Sequence, residues 1–212
     1  MKKMQFERFG VAGVCGGGLF LLFAFLHMGA HGFGLADHGI MTQVSQADPN
    51  FLGLLFYPLQ IYVLLGTVGV LKTGAGASAR TLLSLAVLGL GMTAVGHGLL
   101  SVPYTGDWRT APTEQVGWVM FWTGNLTFAS GLLLGALTAQ GGDDRLRKHL
   151  GLLGGAVLAT FMLEMLNVNV GLASTLVPAL ATGLAWIWLG TTFLRAARQA
   201  ALVAQVTALP VE

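Results

Sequence analysis

Six long runs of apolar residues, separated by short polar segments, dominate this chain. They cover about 10–34, 51–71, 81–101, 117–139, 150–170 and 172–194. Each run reaches the roughly 20 residues that a helix needs to cross the hydrocarbon core of a bilayer. Together the runs take up about two thirds of the 212 residues. The pattern therefore predicts an all-α, polytopic integral membrane protein, with six transmembrane helices in one bundle and a single domain over 1–212.

Composition supports this class and excludes several others. Hydrophobic residues make up 54% of the chain and charged residues 9%, and the mean hydropathy is +0.72, which lies outside the range of soluble domains. The apolar run after Met1-Lys2-Lys3 is long for a cleaved signal, so we expect a retained first helix. The single Cys15 excludes an internal disulfide and a paired-cysteine zinc site. The basic residues are dispersed, so we expect no nucleic-acid partner.

Positive charge is concentrated on one side of the predicted helices. This side holds ten of the eleven Lys and Arg residues: Lys2, Lys3, Arg8, Lys72, Arg80, Arg145, Arg147, Lys148, Arg195 and Arg198. Only Arg109 lies on the other side. Because Lys and Arg next to a span resist translocation, we expect both termini in the cytoplasm. The predicted location is the cell (inner) membrane, with several passes through the lipid bilayer.

Glycine is frequent within the predicted helices, with 31 residues in the chain. Small residues let helix backbones approach closely in lipid, where van der Waals packing drives association. The spacings Gly131–Gly135 and Gly151–Gly155 fit this pattern. Packing within one chain is the favoured interpretation. Self-association through the glycine-rich faces, or contact with other membrane subunits, is the alternative.

One acidic residue interrupts the apolar runs. Glu164 is the only Asp, Glu, Lys or Arg within them. A charged side chain at the bilayer centre costs about 2.5–3.5 kcal/mol on insertion scales, and such residues usually face the bundle interior and serve ions, protons or substrates. A protonated Glu164 that is hydrogen-bonded to a neighbour is the structural alternative. Counted by helical rise, further polar residues lie in the outer half of the bundle. The predicted pocket residues are Tyr57, Gln60, Asn125 and Asn167.

Three histidines occur near the outer ends of helices 1 and 3. His27 and His31 are four residues apart and share a helix face, a spacing that can give two imidazoles to one metal. With His97 and Glu164 they would form a set of three imidazoles and one carboxylate, which suits zinc or iron. In a second version His97 and one of the two helix 1 histidines, His27 or His31, are the axial ligands of a haem b between helices 1 and 3, with His27 and His97 as the favoured pair. The alternative without a metal or haem is that each histidine forms hydrogen bonds to headgroups, water or helix-end carbonyls.

These residues leave three hypotheses of function. In the first, the His/Glu pocket binds haem or a metal, and the protein is a membrane redox subunit or a small membrane enzyme. In the second, Glu164 is the proton or cation site of a small-solute, ion or lipid transporter, with histidines as proton partners. In the third, the protein is a structural or assembly subunit of a larger membrane complex, and its polar groups satisfy one another.

Overall fold

The computed structural model describes residues 3–32, 52–71, 76–101, 112–139, 144–165 and 172–207. For residues 3, 27–32, 164–165, 172–175 and 205–207 it describes the backbone only. The described residues form six helices and no strand. They are α1 (Lys3–Gly32), α2 (Gly53–Leu71), α3 (Ala77–Leu100), α4 (Pro112–Thr138), α5 (Asp144–Met165) and α6 (Leu172–Thr207). Each of the six is long and apolar enough to span a membrane. The predicted all-α, six-helix membrane architecture is confirmed.

Several helices are longer than the apolar runs that predicted them. The last helix continues to Thr207 instead of ending at 194. After Arg195 the chain is rich in Ala, Leu and Gln, which are good helix formers, and it meets no Gly or Pro before Pro210. Hydropathy marks only the part of a helix that suits lipid. The backbone hydrogen bonds of the helix continue beyond that part.

The starts of α1, α3, α4 and α5 also precede the predicted boundaries, because their first turns contain polar residues that hydropathy leaves out. In α4 the helix begins at Pro112, where proline is tolerated since the first N–H groups of a helix have no partner in the helix. In α5 the helix begins at Asp144, whose carboxylate accepts from Lys148 at 3.0 Å and also pairs with Arg147. An acidic residue in the first turn is also favoured by the helix dipole.

The main helix contacts follow chain order. Each helix packs against the next one along the chain, and α1 also packs against α6, so that the six helices form a closed series. The most extensive contacts are those between α3 and α4 and between α1 and α6. Large buried side chains fill the space between the helices, among them Phe56, Leu132 and Trp186. The rings of Phe128 on α4 and Trp186 on α6 stack with centroids 6.1 Å apart.

Glycines spaced seven residues apart produce the two most extensive helix pairs. Between α3 and α4, Gly89 faces Gly124 and Gly96 faces Gly117, and Gly131 continues the α4 row against Leu82 and Ala86. Between α1 and α6 the glycines are Gly10 and Gly17, which lie along Gly183 and Gly190. Seven residues correspond to two helical turns, so each row stays on one face and lets the two backbones touch.

The small-residue spacings noted in the sequence also pack within the chain, with one difference. Gly131 lies against Ala86 of α3, and Gly135 lies against Leu83. On α5 an added Cβ at Gly151 would lie 3.7 Å from Cβ of Ala136 on α4, and the closest approach is at Gly154, where it would lie 2.8 Å from the backbone nitrogen of Leu133. Gly155 faces open space. Self-association through glycine faces stays a prediction.

The two ends of the bundle differ in charge. One end, here the basic end, carries Arg8, Arg80, Arg145, Lys148 and Arg195, all exposed on the described helices. The other end carries the last turn of α3 with His97, and is called the His97 end.

Candidate functional site

His97 is a buried imidazole in the last turn of α3, with 5% of its surface exposed. The helix ends three residues later at Leu100, and Ser101 caps it. Ser101 donates its backbone N–H to the carbonyl of His97 at 3.0 Å, and its hydroxyl donates to the same oxygen at 2.8 Å. These bonds satisfy one of the carbonyls that lack a partner at a helix end. The backbone that carries His97 is therefore firmly held.

Aromatic rings from three other helices surround the His97 imidazole. The ring centroid of Phe23 on α1 is 5.2 Å away, and that of Tyr57 on α2 is 5.4 Å away. Phe121 of α4 lies at 6.0 Å and Phe56 of α2 at 6.2 Å. Edge-to-face contacts at these distances stabilise ring pairs by about 0.5–1.5 kcal/mol. The imidazole is thus fixed in orientation by packing from α1, α2 and α4.

Gly53 completes this enclosure at the start of α2. A Cβ atom added to Gly53 would lie 2.8 Å from Nε2 of His97 and even closer to Cδ2. Only glycine leaves room for the edge of the imidazole at this position. The close approach joins the first turn of α2 to the last turn of α3.

The rings around His97 belong to a wider aromatic layer across the His97 end. We define this layer as Phe23, Phe56, Tyr57, His97, Phe121, Trp122 and Phe161. Trp122 lies beside Phe121 on α4, and its ring contacts Phe161 of α5 at 5.4 Å. The layer therefore touches five of the six described helices. Helix α1 continues beyond Phe23 to carry His27 one turn further on, and α5 continues beyond Phe161 to carry Glu164. Both positions lie on the side of the layer away from the basic end.

Gln60 is a second buried polar group, one turn along α2 from Tyr57. It is 2% exposed, and its Nε2 is the one buried side-chain nitrogen or oxygen in the described residues that has no hydrogen-bond partner. The backbone of α1 passes close by, since an added Cβ at Gly16 would lie 3.4 Å from Cγ of Gln60. Leaving a buried donor unpaired costs about 1–3 kcal/mol. Groups that carry such a cost are often functional.

The remaining predicted pocket residues divide into two groups. Asn125 on α4 is half-buried, and its Nδ2 donates to the carbonyl of Phe121 in the same helix at 3.0 Å. Its amide donor is thus used locally, one turn from the ring that contacts His97. The other predicted residues lie outside the described side chains. They are His27, His31, Glu164 and Asn167.

The described part of the site is compatible with a metal ligand and tight for a haem. Among the described side chains, no group of three or more His, Cys, Asp or Glu residues is placed to hold a metal. Of the four predicted ligands, His97 is the one whose side chain the structure describes. A metal ion takes up less space than a haem, and it would bind a single ring nitrogen of His97. A porphyrin plane beside His97 would have to displace at least one of its four ring neighbours. The haem and metal assignments both stay predictions.

The sequence did not predict two features, one at the His97 end and one at the basic end. The first is the aromatic layer, whose only signal was the frequency of Phe and Trp. The second is His149 near the start of α5, which is 6% exposed, packs its ring on Trp188 at 4.1 Å and lies 3.5 Å from the hydroxyl of Thr192. His149 thus joins α5 to α6 at the basic end, far along the helices from His97.

Comparison of this chain with known protein families, with curated proteins and with solved structures gives no match.

Proposed function

We propose that this chain is a metal-binding, multi-pass membrane protein, with zinc or iron held at the His97 end by His27, His31, His97 and Glu164. The observation that carries the proposal is the enclosure of His97 by four aromatic rings and Gly53. A ligand imidazole that is held in one orientation before the metal binds costs less to order. The backbones of α1 and α5 carry His27 and Glu164 one turn beyond this layer.

The donor set decides which chemistry such a site would supply. Three imidazoles and a carboxylate suit zinc, which polarises carbonyl groups and activates water, and they also suit iron, which transfers electrons. The first metal makes the protein a small membrane enzyme, and the second makes it a membrane redox subunit. In either case His97 belongs to the aromatic layer itself, and His27 and Glu164 follow on the side away from the basic end. The rings of the layer then restrict the passage of water from the basic end to the site.

The charge distribution supports an orientation for this site. Exposed arginines and lysines on the described helices gather at the basic end. Since positively charged flanks stay on the cytoplasmic side, the basic end and both termini face the cytoplasm in this proposal. The membrane is then the cell (inner) membrane, and the site opens in its outer leaflet.

The test of the proposal is the metal content and absorbance spectrum of detergent-purified protein. We expect about one equivalent of zinc or iron per chain in the wild type, and a loss of at least tenfold in His97→Ala, because removal of one of four ligands leaves an incomplete coordination shell. The matched control is His149→Ala, which deletes an equally buried histidine at the basic end. It keeps its metal in this proposal.

Three other outcomes are informative. A Soret band in place of zinc or free iron assigns the pocket to haem b, with His27 and His97 as the axial pair. Equal metal loss in His97→Ala and His149→Ala shows that general unfolding, not ligand removal, releases the metal, and contradicts the proposed role of His97. A wild-type protein that is colourless and free of metal contradicts the metal and haem proposals together.

A second candidate function is transport of a small solute or ion with Glu164 as the proton or cation site. The observation that favours it is the buried Nε2 of Gln60, which has no partner within the described bundle. A donor without a partner inside a membrane protein is a place where a passing solute or water can accept a hydrogen bond. In this proposal, protonation of Glu164 couples to movement of the solute.

Proton flux into proteoliposomes loaded with a pH-sensitive dye tests this second candidate. If Glu164 carries protons, vesicles with wild-type protein dissipate an imposed pH gradient several-fold faster than empty vesicles, and Glu164→Gln abolishes the difference. Glu114→Gln is the matched control, because Glu114 lies in the first turn of α4 at the same end. Wild-type vesicles that behave like empty ones, or a Glu164→Gln variant that behaves like wild type, contradict proton transport through Glu164.

A further inference from the structure

A groove runs along the outside of the bundle between α1 and α2, at the basic end. It has a volume of about 280 Å³ and is lined by Gln5 and Phe9 of α1 and by Tyr62, Leu65, Gly66 and Gly69 of α2. The groove faces outward, because Leu65 is 53% exposed. In a protein with spanning helices, an outward apolar groove of this kind faces lipid. It is far from the His97 end and uses none of the residues of the metal site.

Two glycines and one phenylalanine give the groove its shape. The ring of Phe9 lies over Gly66, with ring carbons 2.7 Å from the place of an added Cβ, and it packs on Tyr62 with centroids 4.8 Å apart. This packing fixes one wall. At Gly69 an added Cβ would meet no atom within 4 Å, so the groove is open there because the residue has no side chain.

The direction and length of the groove match an extended hydrocarbon chain. From Tyr62 to Gly69 the helix α2 rises by roughly 10 Å. The groove therefore extends along the axis of α2 towards the basic end, and a helix that spans a bilayer runs roughly across it. Lipid acyl chains take this direction in a bilayer.

An exposed arginine lies one helical turn from the polar end of the groove. Gln5 lines that end, and Arg8 follows Gln5 by three residues on α1, outside the groove lining, with its Nη2 3.9 Å from Sδ of Met4. The nearest acidic residue on α1 is Glu7, which is rotated by roughly 160° from Gln5 around the helix axis. An arginine and an amide beside an apolar groove are complementary to a phosphate with an attached acyl chain.

We propose that this groove binds one acyl chain of an anionic phospholipid, with the lipid phosphate held by Arg8 and Gln5. The groove supplies shape and the guanidinium supplies charge. Anionic lipids give the cytoplasmic leaflet its negative surface potential, and basic residues near the membrane are attracted to them. The bound lipid covers the seam between α1 and α2 at the end where the basic residues gather.

Native mass spectrometry of delipidated protein, titrated with phosphatidylglycerol or with phosphatidylcholine of the same acyl chains, tests the proposal. We expect one phosphatidylglycerol per wild-type chain, bound roughly fivefold more tightly than phosphatidylcholine, as one favourable charge at a membrane surface provides. Gly69→Leu fills the groove and abolishes this site for both lipids. Arg8→Gln keeps binding but removes the preference for phosphatidylglycerol.

The matched control is Gly18→Leu. Gly18 lies on α1, and like Gly69 it is a surface position where an added Cβ meets no atom within 4 Å. It retains the wild-type lipid and the wild-type preference. A Gly69→Leu variant with unchanged lipid binding, or equal losses in Gly69→Leu and Gly18→Leu, overturns the groove assignment. An unchanged preference in Arg8→Gln overturns the assignment of the phosphate.

Discussion

Gly124→Leu is expected to prevent α3 and α4 from packing and to leave little folded protein. A Cβ at this position would lie 2.5 Å from the backbone nitrogen of Thr93 and 2.8 Å from the backbone oxygen of Gly89. Backbone atoms within a helix cannot move singly, so the two helices would have to separate along their length. Close packing is the main attraction between helices in lipid. We expect a loss of more than about 3 kcal/mol, at the upper end of overpacking effects.

The measurement is the yield of monodisperse protein in detergent, together with the Tm of whatever is recovered. Gly155→Leu serves as the matched control, because an added Cβ at Gly155 meets no atom within 4 Å. The control is expected to purify like wild type, with a Tm within a few degrees. A Gly124→Leu variant with the wild-type Tm would show that α3 and α4 are not in backbone contact at this level.

The helices that span the membrane were predictable because lipid imposes a strong and simple constraint. Every backbone N–H and C=O in the hydrocarbon core has to be paired within the segment, and the side chains have to be apolar. The six apolar runs meet both conditions, and six spanning helices follow. The ends of the helices escaped the same reasoning, since the turns around Asp144 and beyond Arg195 lie in polar surroundings. Those ends depend on capping and helix propensity.

Helix pairing was only partly readable from the sequence. A seven-residue spacing of glycines is visible in Gly117, Gly124 and Gly131 of α4 and in Gly183 and Gly190 of α6. What the sequence does not contain is the identity of the opposing helix. An added Cβ at Gly154 would meet α4, whereas one at its neighbour Gly155 would meet no atom within 4 Å. This contrast depends on a rotation of α5 that only the packing determines.

At the candidate site, too, the sequence predicted which residues are buried polar groups but not which residues surround them. His97, Tyr57 and Gln60 were singled out because polar groups are rare in apolar runs, and the structure buries all three. The rings of Phe23 and Phe121 around His97 were not predicted, because a phenylalanine in a membrane helix carries no sign of its partner. Rarity identifies which residues are costly to bury. Packing determines what each of them contacts.

Gln60→Leu is expected to raise the stability of the protein in detergent. The buried Nε2 has no partner in the described bundle, and leucine fills a similar volume without a donor. Removal of an unpaired buried donor recovers about 1–3 kcal/mol. For a chain of this length each kcal/mol corresponds to a shift of about 2–4 °C in Tm. The expected rise in Tm is therefore a few degrees, up to about 10 °C.

Thermal unfolding of Gln60→Leu beside Gln199→Leu separates this effect from a general gain in hydrophobicity. Gln199 is exposed on α6 near the basic end, and its replacement is expected to leave Tm unchanged. A higher Tm for Gln60→Leu, combined with lost proton flux, means that the chain keeps a destabilising amide because a moving solute uses it. A lower Tm contradicts the prediction, since it means that the amide already donates to a bound water or ligand in the resting protein. Metal content measured on the same samples is expected to stay at the wild-type level, because an amide nitrogen is not a metal ligand.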